Sequence, residues 1–340
     1  MNIPKKRISW KVLLWIKWRQ LLTILLEMWW KCLGRFYYKP DVIFLVYGQE
    51  RHKRVYWSKR RESKMGLFGL IGVISYRRNG KKLCGLMLAS TVSMEEFKTN
   101  TYLAVTVTDE VKRRFPKVQA IALAGQLPGW FVRGSGTAPQ QPLIGGMRGT
   151  CFTVQQAVRW GAVDANSRKR WCVAVAGGAG HTGSEVVRVL SKEYGKVIAY
   201  DPNLKDKEVG NIVYTNNPSR LDEAILMVVL TAKGNDVAGL EKHLRHGAVV
   251  YDDTHPTMSK PVRELFFNKG SPVFKMTVAD GSVNMFPLLP DFGPGDVPGC
   301  LLEALVVKLC GPAVLESQEA FDHAAEELGF KARLEFHPKR

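Results

Sequence analysis

Residues 171–201 carry the clearest hydrophobic pattern of the chain. The run at 172–176 is continuously apolar, which is typical of a strand covered on both faces of a parallel sheet. Glycines follow at once, and from Ser184 onward valines and a leucine recur at helical spacing. A second apolar run at 196–200 ends in Asp201. This order predicts the strand, loop, helix and strand of a βαβ unit.

The glycines of this loop have the spacing of a dinucleotide-binding site. Gly178, Gly180 and Gly183 fit G-x-G-x-x-G, and Gly177 with the last two fits a looser related spacing. A side chain here would hold the backbone away from a pyrophosphate, which the following helix N-terminus attracts. Asp201 lies 18 residues after Gly183, where a carboxylate can accept from a ribose hydroxyl. The predicted cofactor-binding residues are Gly177, Gly178, Gly180, His181, Thr182, Gly183 and Asp201.

The remaining pattern predicts an α/β protein. Its main part is a Rossmann-like, doubly wound parallel sheet, whose later strands at 226–230, 248–251 and 273–278 end at a common edge. An N-terminal α/β substrate domain comes before it, with a helix at 94–115 and a long Gly- and Pro-rich loop at 125–149. The predicted domains are a basic amphipathic arm at 1–40, the substrate domain at 41–166, the NAD(P)-binding domain at 167–311, and a C-terminal helix and tail at 312–340.

Residues 8–31 predict an amphipathic helix that contains five tryptophans among leucines and basic residues. Lys17 and Arg19 interrupt it, so no run of about 18 uncharged apolar residues is left to span a bilayer. Such a helix suits the plane of an anionic membrane surface, and the alternative is a helix packed on the protein's own body or on a partner subunit. A narrow polar stripe runs along it, formed by Gln20, Thr23, Glu27 and Lys31.

The distribution of charge and the cysteine content indicate the cellular compartment of the protein. Residues 1–65 hold 16 Lys and Arg against four Asp and Glu, which accounts for +12 of the net charge of +18. The basic run at 51–64 is more typical of a solvated surface than of a nucleic-acid contact. Six scattered cysteines without C-x-x-C spacing favour a reducing compartment and predict no metal site. We therefore expect a cytoplasmic protein, peripheral on the inner face of a membrane.

Cys300 is the most informative residue outside the glycine loop. Pro298 and Gly299 precede it, and good helix formers follow. A thiol in the first turn of a helix faces the positive end of the helix dipole, which favours the thiolate. Glu303 is placed to cap that same first turn. The alternative is an ordinary buried cysteine, which is the commoner state of a free thiol.

From Gly66 onward, the chain resembles the long-chain fatty acyl-[acyl-carrier-protein] reductases, which form aldehydes, over about residues 66–335. The resemblance implies that Cys300 takes an acyl group from acyl carrier protein or CoA as a thioester, and that a nicotinamide cofactor reduces it. It also implies NADPH, whereas Asp201 favours NADH because a carboxylate would repel a 2′-phosphate. The matching segments are FGLIG at 68–72, IALAG at 121–125, the loop and helix at 146–154, VAGGAGHTGS at 175–184, VYDDTHP at 250–256, GSV at 281–283, GCLLEAL at 299–305, and EAF with LGF near the end.

The leading prediction is thus NAD(P)H-dependent reduction of a fatty acyl thioester, with Cys300, His255 and Glu303 as catalytic residues. His255, and less favourably His181, would protonate the developing aldehyde oxygen. Two alternatives stay open. One is a two-domain dehydrogenase that transfers hydride directly to a small carbonyl, with Cys300 structural. The other is a non-catalytic dinucleotide sensor at a membrane.

Overall fold

The computed structural model describes residues 10–30, 32, 39–48, 53–63, 65–161 and 165–336. The chain divides into two compact units, Met1–Ile144 with Asn284–Leu288, and Gly145–Val283 with Leu289–Arg340. Parts of the predicted arm at 1–40, of the basic run at 51–64 and of the tail at 312–340 lie outside the described residues.

The described elements are these. The α-helices are α1 Trp10–Trp29, α2 Lys59–Glu62, α3 Met94–Thr99, α4 Tyr102–Arg114, α5 Leu127–Ser135, α6 Met147–Gly161, α7 Ala165–Arg168, α8 His181–Ser191, α9 Lys260–Asn268, α10 Gly299–Cys310 and α11 Gln318–Glu327. The strands are β1 Val42–Val46, β2 Phe68–Arg78, β3 Lys81–Ser90, β4 Ala120–Leu123, β5 Leu143–Ile144, β6 Cys172–Ala176, β7 Lys196–Tyr200, β8 Lys207–Val209, β9 Ile212–Thr215, β10 Leu226–Val229, β11 Val249–Asp252, β12 Val273–Ala279, β13 Val283–Phe286, β14 Asp296–Val297 and β15 Lys331–Phe336. Short 3₁₀ segments lie at Pro218–Glu223, Gly234–Val237, Leu240–His243 and Pro312–Leu315.

The first unit is built on a six-stranded sheet in the order β13-β2-β3-β1-β4-β5. β1 is parallel to β3 and β4, whereas β2 and β3 form an antiparallel hairpin that turns at Asn79 and Gly80, both with positive φ. The edge strand β13 comes from the segment that returns late in the chain. The hydrophobic core of this unit centres on Phe97 and Trp130, whose rings stack with centroids 5.1 Å apart.

Two predictions for this unit need correction. The helix expected at 94–115 is two helices, α3 and α4, because a Ser93–Glu96 capping box starts the first and Asn100 ends it in extended conformation. The loop expected at 125–149 contains α5, which Gly136 ends in the left-handed conformation, and then β5. The Gly and Pro residues of this stretch therefore lie at the ends of short elements and do not form one long loop.

Helix α1 packs on the first unit through its polar side. Arg19 and Thr23 are buried, and Arg19 Nη2 donates to the carbonyl of Leu288 at 2.6 Å. Glu27 forms an ion pair with Arg61 at 2.6 Å. The predicted polar stripe is therefore the side that faces the protein, except for Lys31, which lies outside the described residues. No helix within the described part of the chain is long and apolar enough to cross a bilayer.

The second unit has the strand order of a Rossmann fold. Its six parallel strands run β12-β11-β10-β6-β7-β9, so in order along the chain they read 6-5-4-1-2-3 across the sheet. β8 adds antiparallel to β9, and β14 and β15 add antiparallel to β12. Alternate residues of the strands enter separate cores on the two faces, as Val173 and Ala174 show. The predicted doubly wound α/β class is confirmed.

Domain boundaries differ from the prediction. The division falls between Ile144 and Gly145, not near Ser167, because helix α6 (Met147–Gly161) packs into a core of the second unit through residues such as Val154. The segment that follows Asp201, for which no strand was predicted, forms the hairpin β8–β9. The C-terminal stretch is no separate tail, since β15 pairs along β12 from Phe336 to Lys331.

Candidate functional site

The glycine loop lies between β6 and helix α8 (His181–Ser191), at the point where the strand order of the second unit reverses. Gly177 has φ +92°, and a Cβ there would approach the carbonyl oxygen of Leu230 to 2.8 Å. A Cβ on Gly183 would come within 2.1 Å of the Gly177 carbonyl oxygen, and one on Gly178 within 2.9 Å of Ala199 Cβ. These glycines therefore let the helix and loop sit directly against the ends of β6 and β7.

The first turn of helix α8 directly follows this loop. The helix begins at His181, three residues before the predicted Ser184, and its N-cap is Gly180, which has no side chain to occupy the first N–H groups. Gly180 and His181 are exposed, and Thr182 is half-buried. A helix start of this kind, open to solvent, can bind an anion such as the pyrophosphate of a dinucleotide.

Asp201 directly follows β7 and is half-buried. Its Oδ1 accepts from the backbone and side-chain nitrogens of Asn203, each at 3.0 Å. Within the described ranges, Oδ2 has no hydrogen-bond partner, so it can accept from a ligand. The two lysines that follow it, Lys205 and Lys207, are exposed.

Strand β11 brings a second group of side chains to the same edge of the sheet. Asp252 is 1% exposed and accepts from Thr254 Oγ1 at 2.6 Å and from Met258 N at 2.8 Å. Its carboxylate thereby fixes the loop that follows β11. The next residue, Asp253, is half-buried, and its carboxyl group has no partner in the part of the chain that the structure describes. His255 lies two residues further and is exposed.

Both Asp253 and His255 have displaced pKa values. Desolvation, with a further contribution from Asp252, raises the pKa of the Asp253 carboxyl from 3.8 to about 8. Desolvation and the charge of Lys275 lower the pKa of His255 from 6.5 to about 3, although its ring keeps contact with solvent. At neutral pH, the carboxyl group therefore carries a proton and the imidazole is uncharged. His255 can donate an N–H, but not as the protonated acid that the sequence suggested.

Phe292 links His255 to a buried ion pair. The His255 and Phe292 ring centroids are 4.5 Å apart, and Lys275 Nζ lies 4.7 Å from the Phe292 centroid. Lys275 is 2% exposed, donates to the carbonyl of Asp291, and lies 3.7 Å from Asp296 Oδ2. The packing thus holds a positive charge close to the end of β11.

Cys300 lies in the first turn of α10, which begins at Gly299. Its Cβ packs against Gly146, where an added Cβ would come within 2.4 Å of it. Helices α6 and α10 meet closely here, since a Cβ on Gly149 would lie 2.0 Å from the Gly299 carbonyl oxygen. Cys300 is half-buried. Its predicted position at a helix start therefore agrees with the structure, and its predicted chemistry is untested by it.

Glu303 has a different partner from the one expected. Its carboxylate accepts from the backbone N–H groups of Gly146 at 3.3 Å, Arg148 at 2.5 Å and Gly149 at 3.1 Å. It therefore caps α6 and not its own helix, because the close helix packing places the first turn of α6 over its side chain. Burial raises the pKa of this carboxyl group, and the three N–H donors oppose the shift. In these contacts, the Glu303 carboxylate joins the start of α6 to α10.

Asp253 belongs to the segment at 250–256, but the sequence alone assigned it no role. A carboxylate that follows a buried strand is a usable signal, but the burial that shifts its pKa comes from packing. Within the described ranges, no group of three His, Cys, Asp or Glu side chains is placed to hold a metal ion.

Comparisons with known proteins gave matches only among solved structures. No family model and no curated protein matches the chain. NAD⁺-bound 3-phosphoglycerate dehydrogenase of Entamoeba histolytica is 13% identical, with a TM-score of 0.32 over 85% of this chain and 94% of that one. The NAD-bound D-isomer specific 2-hydroxyacid dehydrogenase of Lactobacillus delbrueckii ssp. bulgaricus is 13% identical, with a TM-score of 0.30 over 68% and 78%.

A third structure is the D-isomer specific 2-hydroxyacid dehydrogenase of Xanthobacter autotrophicus Py2 in complex with NADPH and MES. It is 18% identical, with a TM-score of 0.28, and the alignment covers 38% of this chain and 64% of that one, less than two thirds of its length. The ligands in these structures are NAD⁺, NAD and NADPH, in the order given.

The resemblance to acyl-[acyl-carrier-protein] reductases is wrong. No family model and no curated protein of that kind matches the chain, and the similar structures include 2-hydroxyacid, D-lactate and 3-phosphoglycerate dehydrogenases, a dipicolinate synthase subunit and a putative malic enzyme. The resemblance rested on short segments, and several of them have structural explanations here. Gly149 and Gly299 permit two helices to touch, and Glu303 caps a neighbouring helix. Short motifs of this kind can recur in unrelated proteins in which two helix starts pack closely together.

Gly183→Ala should destabilise the second unit. The added methyl group would lie 2.1 Å from a backbone oxygen, so α8 must shift, at a cost of about 1–3 kcal/mol. Gly281→Ala is the matched control, since a Cβ there meets nothing within 4 Å. Thermal unfolding of the two variants measures the difference. Equal melting temperatures would show that the close approach of loop and helix is not needed.

Glu303→Gln should lower the free energy of unfolding by about 3 kcal/mol, because a neutral amide replaces a buried carboxylate that serves three N–H donors. Glu264→Gln, which alters only a surface ion pair with Lys260, should change it by less than about 0.5 kcal/mol. Urea unfolding, followed by circular dichroism, compares them. A Glu303 variant as stable as the control would contradict the capping role.

Proposed function

We propose that the protein is an NAD(P)-dependent oxidoreductase that transfers hydride directly between the nicotinamide and a small carbonyl or hydroxy compound. The observation that carries this proposal is the glycine loop at the switch point of a sheet with Rossmann strand order. It agrees with the alternative that sequence analysis left open, in which Cys300 has no covalent role.

The residues at the loop fit a dinucleotide. Gly177, Gly178 and Gly183 let the loop and α8 lie directly against the strand ends, and the first turn of α8 directs its N–H groups toward this loop. Asp201 supplies a carboxylate oxygen at the end of β7, where a ribose is bound in such folds. When bound, the cofactor supplies or accepts the hydride. The chain's own residues must then bind, orient and exchange a proton with the substrate.

Asp253 is the residue best suited to exchange that proton. It follows β11, whose carboxyl end lies at the same edge of the sheet as the glycine loop. With a pKa near 8, the group is a carboxylic acid at neutral pH and can give its proton to a carbonyl oxygen that gains hydride. In the oxidative direction, the carboxylate takes the proton back from the hydroxyl group.

His255 acts beside it as an uncharged hydrogen-bond donor. Its stacking on Phe292 and the nearby Lys275 charge keep the imidazole neutral, so it can orient and polarise a carbonyl without competing for the proton. Lys275 adds a fixed positive charge that favours a developing oxyanion, although Asp296 offsets part of it. Cys300 and Glu303 have no role in this scheme beyond packing and capping.

Asp253→Asn should lower kcat for carbonyl reduction by about 10²–10⁴-fold with a smaller change in KM, because an amide cannot donate the proton. Cys300→Ser is the control in the same unit, and it should keep turnover within about tenfold because no covalent step is required. Steady-state assays with a panel of 2-oxo acids, ketones and aldehydes measure both. Loss of activity in the serine variant, with Asp253→Asn unaffected, would contradict the proposal. Dinucleotide binding without turnover of any carbonyl would favour the sensor alternative.

The wild-type enzyme should also lose reductive kcat/KM as pH rises through about 8. The reductive rate should fall because Asp253 is protonated and can donate a proton below its pKa, whereas it is deprotonated above it. The oxidative reaction should show the opposite trend, because it needs the carboxylate. The reductive limb near pH 8 should disappear in Asp253→Asn, and an unchanged limb in that variant would assign the titration to another group.

We also propose that NADH is preferred over NADPH, because Asp201 would repel a 2′-phosphate. Asp201→Ser should shift the ratio of catalytic efficiencies toward NADPH by about tenfold. This shift corresponds to the loss of ~1.4 kcal/mol of repulsion, which is a modest energy for two charges near a protein surface. Asp222→Ser removes the same charge from an exposed position of the same unit and should leave the ratio unchanged. A wild-type enzyme that uses NADPH more efficiently would contradict the assignment.

A further inference from the structure

Helix α1 (Trp10–Trp29) exposes most of its apolar side chains and turns its polar stripe toward the protein. Its inner side holds buried Arg19 and Thr23 and half-buried Gln20 and Glu27, together with half-buried Leu26, which packs against the core of the first unit. Its outer side is apolar and exposed, with Trp18, Leu21 and Leu25 each more than half accessible. The exposed apolar face consists of Trp10, Leu13, Leu14, Trp15, Trp18, Leu21, Ile24, Leu25, Met28 and Trp29.

The contacts of the inner side show that this orientation is specific. Arg19 donates to the Leu288 carbonyl, Gln20 Nε2 donates to the Arg54 carbonyl at 2.7 Å, and Glu27 pairs with Arg61. Turning the helix over would leave these polar groups without their partners and would not bury them in a better place. The apolar face is therefore held outward by directional bonds.

An exposed apolar face of this size marks an interaction surface. We propose that it inserts into the interface of an anionic lipid bilayer, with the helix lying in the membrane plane. Two features favour lipid. Trp10, Trp15, Trp18 and Trp29 lie among leucines along the exposed face, and tryptophan suits the headgroup boundary of a bilayer. The second feature is charge.

Positive charge flanks the helix on both sides in the sequence. Lys5, Lys6 and Arg7 precede it, and Lys31 and Arg35 follow it. Residues 1–65 carry +12 in all, which complements an anionic headgroup layer. Within α1, exposed Lys17 has a side chain long enough to carry its ammonium out of the apolar layer to the headgroups. An apolar groove on a protein would not require this surplus of charge.

The test compares the full-length chain with two double variants. Trp18→Ser/Leu25→Ser removes two side chains that are each 52% exposed on the outer face of α1. Trp160→Ser/Leu265→Ser is the matched control, with side chains 61% and 42% exposed on α6 and α9. Since all four side chains are exposed, both variants should fold, which circular dichroism and melting temperature check.

Co-sedimentation with phosphatidylcholine vesicles, with and without phosphatidylserine, measures partitioning. Wild type and control should bind the phosphatidylserine vesicles, and the α1 variant should bind them at least about tenfold more weakly. Binding should also weaken as salt is raised. Equal binding of all three proteins, absence of wild-type binding, or equal binding to both vesicle types would overturn the proposal. So would self-association that the α1 variant abolishes without any vesicle binding, because a second copy would then cover this face.

Discussion

Parallel strand pairing in the second unit is the constraint on which the candidate site depends. β6, β10, β11 and β12 run in the same direction, so the residues after each strand reach one edge of the sheet. Gly177, Asp253 and Asp280 are far apart in sequence, yet each follows such a strand. The chemistry attributed to the site therefore needs no special loop architecture. It needs a glycine that lets the first helix approach the strand ends, and side chains whose protonation the surrounding packing adjusts.

Sequence predicted the parts of this arrangement that leave a local signal. β6 and β7 were found because strands covered on both faces are continuously apolar, and β7 was predicted at 196–200, where it lies. The hairpin β8–β9 was missed because Lys207, Glu208 and Val209 are all exposed and show no apolar pattern. Glu303 was assigned to its own helix because its true partner lies about 155 positions earlier in the chain. The pKa of Asp253 depends on burial, which a sequence does not display.

The error over the acyl reductases has a related physical cause. Gly149 and Gly299 occur where two helix N-termini touch, and a buried acid such as Glu303 satisfies the N–H groups exposed there. Any fold that joins two helices in this way benefits from the same residue types. A glycine, cysteine and glutamate at fixed spacing therefore report a packing solution, and a catalytic role for the cysteine requires independent evidence.

The segment Asn284–Leu288 has a consequence for the covalent organisation of the protein. It leaves the second unit after Val283, adds β13 to the edge of β2 in the first unit, and returns at Leu289. The backbone thus passes between the two units three times, and no single cut separates them. The first 144 residues made alone would lack an edge strand, and Leu288, whose carbonyl group holds Arg19 of α1, would be missing as well. A continuous fragment that ends at Ile144 therefore omits residues on which the first unit depends.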